Sequence, residues 1–174
     1  MPENTSTSNP DFPLSRRDLL ALPGATAFLS AWLDGSLNAA PPEPKFFPPE
    51  DFHALQAFTE ILIPTDDTPG ARQAQCAHFI DFVLQASPAQ TQQQWRDAMA
   101  TLRQAGFHAA GAQGREAIVR SMSQSDHPVF RLIKQQNTFA FYTSRAGMIE
   151  TLDYKGNTYN ATFPACTHPE HHRV

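Results

Sequence analysis

Apolar positions in this chain recur at helical spacing from residue 52 onward. Phe52, Leu55, Phe58 and Leu62 fall three or four apart, which places them on one stripe of a helix. Pro48 and Pro49 precede that stripe, Glu50 and Asp51 fall in the predicted first turn, where acids suit the helix dipole, and Pro64 ends it. A second stripe is Phe79, Ile80, Val83 and Leu84. Ser87-Pro88-Ala89-Gln90 then reads as an N-cap, a proline at the first helical position and a capping-box glutamine. The helix it opens carries Trp95, Met99 and Leu102, and Gly106 stops it. Gly111 to Gly114 is a break, after which Ile118, Val119 and Met122 mark another stripe. Asp126 is placed to cap the next helix, which has Pro128 in its first turn and carries Val129, Phe130, Ile133, Phe139, Phe141 and Tyr142. Ser144 starts a short last turn with Met148, Ile149 and Leu152. No segment alternates β-branched and polar residues as a strand would. The pattern predicts an all-α fold, a small helical bundle over residues 48–152, with no internal repeat and no second domain.

The two ends break this pattern. Residues 1–40 read as an export-signal region: Ser15-Arg16-Arg17-Asp18-Leu19-Leu20, then a moderately apolar run from Leu19 to Leu33 interrupted by Pro23 and Gly24, then small residues. A paired arginine before such a run is the layout of a twin-arginine signal. The run is shorter than the ~20 apolar residues that a bilayer span requires. The competing reading, an amphipathic helix that happens to start with Arg16 and Arg17, is weakened by Pro23 and Gly24. The cleavage site is poor, because cutting after Ala39 or Ala40 puts Leu37 or Asn38 where a small residue is preferred. The twin-arginine route carries folded cargo, which bears a cofactor itself or travels with a protein that does. Residues 41–47 form a proline-rich linker. Residues 153–174 form an irregular tail that holds Tyr154, Tyr159 and Phe163, aromatics that must pack on their own bundle or on a partner.

Composition narrows the chemistry. The 174 residues carry a formal net charge of −4 and no run of lysine or arginine, which argues against nucleic acid as a partner. Two cysteines, Cys76 and Cys166, make neither a disulfide scaffold nor a multi-cysteine metal site. They can pair with each other and pin the tail, or Cys166 can bond a partner chain; the residues do not choose between these. Asp66 and Asp67, with Glu60 near in sequence, could form an acid pair, but Asp66-Asp67-Thr68-Pro69-Gly70 reads first as a turn. A small hydrolase built on these two aspartates is therefore the weakest reading. Cys166, His168, His171 and His172 are ligand types for zinc or copper, at a spacing that matches no common structural zinc pattern. An independent periplasmic metal-binding module using these four is the alternative function, and a solvated histidine-rich end is the simpler account. His53, His78, His108 and His127 are scattered beside no nucleophile motif. Glycine-rich nucleotide loops and Cys-x-x-Cys-His haem attachment are both absent, so no cofactor is expected in this chain. Asn160-Ala161-Thr162 has the form of a glycosylation site, which carries little weight beside a twin-arginine signal.

Three pieces of sequence resemble the gluconate 2-dehydrogenase subunit 3 family. They are Ile61-Leu62-Ile63-Pro64-Thr65-Asp66-Asp67-Thr68-Pro69-Gly70-Ala71 with Phe79-Ile80-Asp81, then Phe141-Tyr142-Thr143-Ser144 with Leu152-Asp153-Tyr154-Lys155-Gly156-Asn157, and the ending Phe163-Pro164-Ala165-Cys166. The similarity runs from about residue 46 to about 166, weakly over 88–125. It implies a small, non-catalytic subunit of a membrane-associated dehydrogenase for gluconate or a related sugar. It further implies FAD in a large partner subunit, haem in a cytochrome c partner, and export of the complex by this chain through the twin-arginine translocase to the periplasmic face of the inner membrane. No catalytic residue carries over. Tyr154, Tyr159, Phe163, Cys76 and Cys166 are the candidates for partner contact or disulfide formation.

Overall fold

A computed structural model of the chain describes residues 43–155. The signal region with Arg16 and Arg17, and the part of the tail holding Tyr159, Phe163, Cys166 and the three histidines after it, lie outside these residues. Among the described residues the fold is all-helical. Its elements are α1 (Pro49–Leu62), α2 (Cys76–Gln85), α3 (Ala89–Gln104), α4 (Ala112–Gln124), α5 (Pro128–Thr143) and a closing π-helical turn, Ala146–Thr151.

The predicted stripes form the core. Phe52, Leu55 and Phe58 of α1 pack with Ile80 and Leu84 of α2, Trp95, Met99 and Leu102 of α3, Val119 and Met122 of α4, and Phe130 and Ile133 of α5. Each large side chain so buried contributes about 1.5–3 kcal/mol. A second, smaller cluster joins Ala71, Cys76, Phe79 and Val83 to Ala140 and Phe141 at the far end of α5. Leu62 and Ile118 only flank the main cluster, because both lie near the edge of their helical stripes.

Helix ends differ from the sequence reading in three places. Pro88, not Ser87, takes the N-cap position of α3, and no side chain caps that helix. Ser87 turns back and donates to the Val83 carbonyl at 3.0 Å, closing α2, so the capping box with Gln90 does not form. In front of α5 the cap is His127, whose Nδ1 accepts from the Val129 amide at 3.2 Å. Asp126 instead sits at φ 49 in the turn that ends α4. The break after α3 closes at Gly111, and Gly114 lies inside α4. Gly106 does stop α3: at φ 76 it allows the Phe107 amide to reach the Leu102 carbonyl and its own amide to reach that of Arg103, both at 3.0 Å. This is a Schellman end, with Phe107 buried behind it.

Polar side chains fix the connections. Glu60 accepts from the Thr65 amide (3.1 Å) and hydroxyl (2.8 Å) through one oxygen, and from the Arg72 amide (2.8 Å) through the other. The turn after α1 is thereby gathered onto the helix that precedes it. Asp66 accepts from the Thr68 amide and hydroxyl, both at 2.9 Å. A Cβ on Gly70 would lie 2.7 Å from the Pro64 carbonyl carbon, so the loop closes only with glycine there. Asp51, buried in the first turn of α1, accepts at Oδ1 from Arg103 at 2.6 Å and pairs with His108 Nε2 at 2.8 Å. Arg115 then donates to the Phe107 and His108 carbonyls, holding the α3–α4 connection against α1.

The Thr68 amide, and secondarily its hydroxyl, holds the Asp66 carboxyl below its ordinary value of 3.8. A carboxyl depressed on folding stabilises the fold above its unfolded pKa, and that contribution disappears as pH falls through the lower, folded value. The stability difference between wild type and Asp66→Asn is expected to be constant at neutral pH and to decline as pH falls below the ordinary carboxylate value of 3.8. Denaturant unfolding of both proteins across that window checks this, and a pH-independent difference would contradict it.

Candidate functional site: an apolar face at the end of the bundle

The chain folds locally so that its last helix ends in a tight reversal. Ser144 leaves α5 in an extended conformation. Its hydroxyl donates to the Phe141 carbonyl at 2.7 Å and accepts from the Gly147 amide at 3.1 Å. Ser144 thus starts the last turn, as its position in the sequence suggested. The turn is π-helical, and Thr151 Oγ1 donates back to the Ala146 carbonyl at 2.9 Å. Gly147 makes the reversal possible: a Cβ there would fall 2.8 Å from the Phe141 carbonyl carbon and closer still to its oxygen. The Tyr154 amide closes the segment on the Met148 carbonyl at 2.9 Å.

Large apolar side chains are exposed on the last turns of α5 and on the segment that follows it. Phe139 and Tyr142, three apart on α5, are exposed, as are Ile149, Leu152 and Tyr154; Leu152 is 59% exposed and Tyr142 45%. Tyr142 stacks edge-on against buried Phe141 at 5.2 Å, and Phe139 lies 6.0 Å from Phe79. Ile149 and Tyr154 line an open groove together with Ser144, Arg145, Met148 and Lys155. Arg145 pairs with Glu150 at 3.3 Å and Lys155 with Asp153 at 3.0 Å, so charge rims an apolar strip. Clustered exposed aromatic and aliphatic side chains with a charged rim have the anatomy of a protein-binding surface.

Other sequence candidates fall elsewhere. Cys76 is the first residue of α2 and is fully buried, a free thiol that burial pushes well up. Asp66 and Asp67 are exposed on the turn after α1. The scattered histidines have separate surroundings: His108 binds Asp51, His127 caps α5, His53 is exposed, and His78 packs edge-on to Phe52 at 4.7 Å. Burial lowers the His78 pKa, and nearby Asp81 works against that shift. Among the described residues no three His, Cys, Asp or Glu side chains are grouped to hold a metal; Cys166, His168, His171 and His172 lie outside them. Among the same residues no helix is long and apolar enough to cross a membrane.

Sequence reasoning missed the work of Glu60, Gly147 and Asp81. For Asp81 a signal existed: a lone acid inside the apolar run Phe79-Ile80-Asp81-Phe82-Val83-Leu84 is buried only when something satisfies it. Gly147 left no such signal, since its constraint comes from a carbonyl in another element.

These features define a class of protein: a small all-α body that presents an apolar face at one end. The sequence model of the family described as gluconate 2-dehydrogenase subunit 3 matches residues 49–159, well over half of the chain. The chain belongs to that family, and so to the subunits of a multi-subunit dehydrogenase. The match takes in the Pro64–Ala71 turn and the Tyr154-Lys155-Gly156-Asn157 segment, while Phe163–Cys166 lies beyond it. No curated protein matches the chain, and neither does any solved structure.

Proposed function

We propose that this chain is the non-catalytic small subunit of a periplasmic, FAD-dependent dehydrogenase for gluconate or a related sugar or sugar acid. The family match carries this reading, and the apolar face around Tyr142, Ile149, Leu152 and Tyr154 supports it. The large flavin subunit docks on that face, and the tail aromatics Tyr159 and Phe163 extend the contact. FAD resides in the large subunit, and a haem-bearing cytochrome c subunit takes the electrons. With Cys76 sealed in the core, Cys166 is the candidate for a covalent link between subunits. Arg16 and Arg17 direct the assembled pair through the twin-arginine translocase, and the small subunit assists maturation of its partner on the way. The complex works at the outer face of the inner membrane.

The test is an affinity pull-down of the C-terminally tagged chain from periplasm and membranes, with an absorbance spectrum of the captured material. A larger yellow partner that oxidises a sugar or sugar acid is expected. A lone, colourless chain would remove the reading and turn attention to metal content. In the same cells, Arg16→Lys with Arg17→Lys is expected to leave both subunits in the cytoplasm. Normal export of the flavin subunit in that strain would end the carrier role.

A further inference from the structure

The bundle does not begin at its first helix. Ahead of α1, the backbone amides of Lys45, Phe46 and Phe47 all donate to the carboxylate of Asp81 on α2. Lys45 bonds Oδ2 at 2.8 Å, and Phe46 and Phe47 bond Oδ1 at 3.0 and 2.9 Å. Gln85 Nε2 steadies the same carboxylate at 3.1 Å. Asp81 is only 2% exposed, and every donor it uses here is a neutral amide. The strap is also packed: Phe47 is buried against Trp95 at 6.0 Å, Phe46 stacks edge-on to Phe47 at 4.7 Å, and Arg96 lies over the Phe46 ring at 5.1 Å. Pro48 and Pro49 follow at once and lead into α1.

A peptidase reads a substrate as an extended strand, through its backbone amides and carbonyls. In residues 45–47 those amides are already taken by Asp81, and reaching them requires local opening of the bundle. We infer that Asp81 sets the N-terminal limit of proteolytic processing: it makes residues 45–47 part of the folded body, so that cleavage removes chain ahead of Lys45 and none beyond it. The reaction is hydrolysis of one backbone amide by a peptidase, with water supplying the hydroxyl of the new carboxyl group and the hydrogen of the new amine. Applied to export processing, the inference rests on the export reading above; the strap itself does not. It also relaxes the demand on the cleavage site, because a cut anywhere ahead of the strap leaves the same folded body.

The experiment is limited digestion of the purified full chain by a broad-specificity protease, with the mass of the resistant core measured. Wild type, Asp81→Asn and Lys45→Pro are compared. Lys45→Pro removes one amide hydrogen from the strap and puts ring carbons against Asp81 while leaving every helical residue in place, so it remains decisive where Asp81→Asn fails to fold. The wild-type core is expected to begin at or ahead of residue 45. The Lys45→Pro core is expected to begin within the strap, at Phe46 or Phe47, with unchanged helical circular dichroism, the strap being cut at least about tenfold faster. A wild-type core starting beyond residue 45, or an unchanged Lys45→Pro core, would overturn the inference. The N-terminus of the exported chain is expected at or ahead of Lys45, and one beyond Lys45 would overturn it equally. Failure of the arginine-pair test would remove export and leave the digestion result standing.

Discussion

Tyr142→Asp combined with Leu152→Asp is expected to abolish assembly with the flavin subunit while the bundle stays folded. Both side chains are largely in water in the free chain, at 45% and 59% exposure. Surface changes of this kind usually stay within about 0.5 kcal/mol. Tyr142 also loses its edge-on contact with Phe141, which adds about 0.5–1.5 kcal/mol. The free chain therefore loses a few degrees of melting temperature at most. At a docked interface the balance is different. Each carboxylate would be carried out of water without a partner, at a cost of several kcal/mol per ion, and the aromatic contact would be lost as well. Summed over the two ions, even half of that cost exceeds the roughly 2.8 kcal/mol of a hundredfold change in affinity. Co-purification with the flavin subunit, read beside thermal melts of the free chain, makes the comparison. Retained assembly would place the interface on another face of the bundle.

The second large effect concerns stability. Gly147→Ala is expected to cost about 3 kcal/mol or more, beyond the usual range for overpacking. The added methyl meets backbone, the Phe141 carbonyl group, rather than the movable end of a side chain. Relief requires shifting either the π-helical turn or the end of α5, and the end of α5 is tied to the second core cluster through Phe141 and Ala140. The control is Gly111→Ala, where an added Cβ would meet nothing within 4 Å and the backbone is extended at φ −71. That change is expected to stay within about 1 kcal/mol, mostly from the weaker N-cap of α4. Denaturant midpoints of the two variants decide it; equal midpoints would mean that the reversal yields easily. Loss of the reversal also disperses Ile149 and Leu152, so Gly147→Ala is expected to weaken assembly as well.

The helical stripes were legible because burial on one side of a helix imposes a period that survives in the sequence. Phe52, Leu55 and Phe58, or Trp95, Met99 and Leu102, announce their helices and their buried side together. Caps were less legible. Ser87 and Asp126 have the right chemistry for an N-cap, yet Pro88 and His127 hold those positions, because which residue leaves the preceding helix end is settled by how that helix closes. Exposure on the last helix was not legible either. Phe139, Phe141 and Tyr142 look alike as apolar residues, but only Phe141 is buried in the second core cluster.

The sequence by itself determined the all-α class, the stripes that build the core, the stop at Gly106 and the family, because each depends on short-range periodicity or on local strings of residues. Tertiary structure decided the rest. It made Asp81 the anchor of a strap more than thirty residues away, Glu60 the clamp of the turn that follows α1, and Gly147 the one residue that fits against Phe141. It also sealed Cys76 in the core and turned Tyr142 and Leu152 outward. Those outcomes depend on which atoms meet across elements distant in the chain, and no local pattern of hydrophobic and polar residues encodes that meeting.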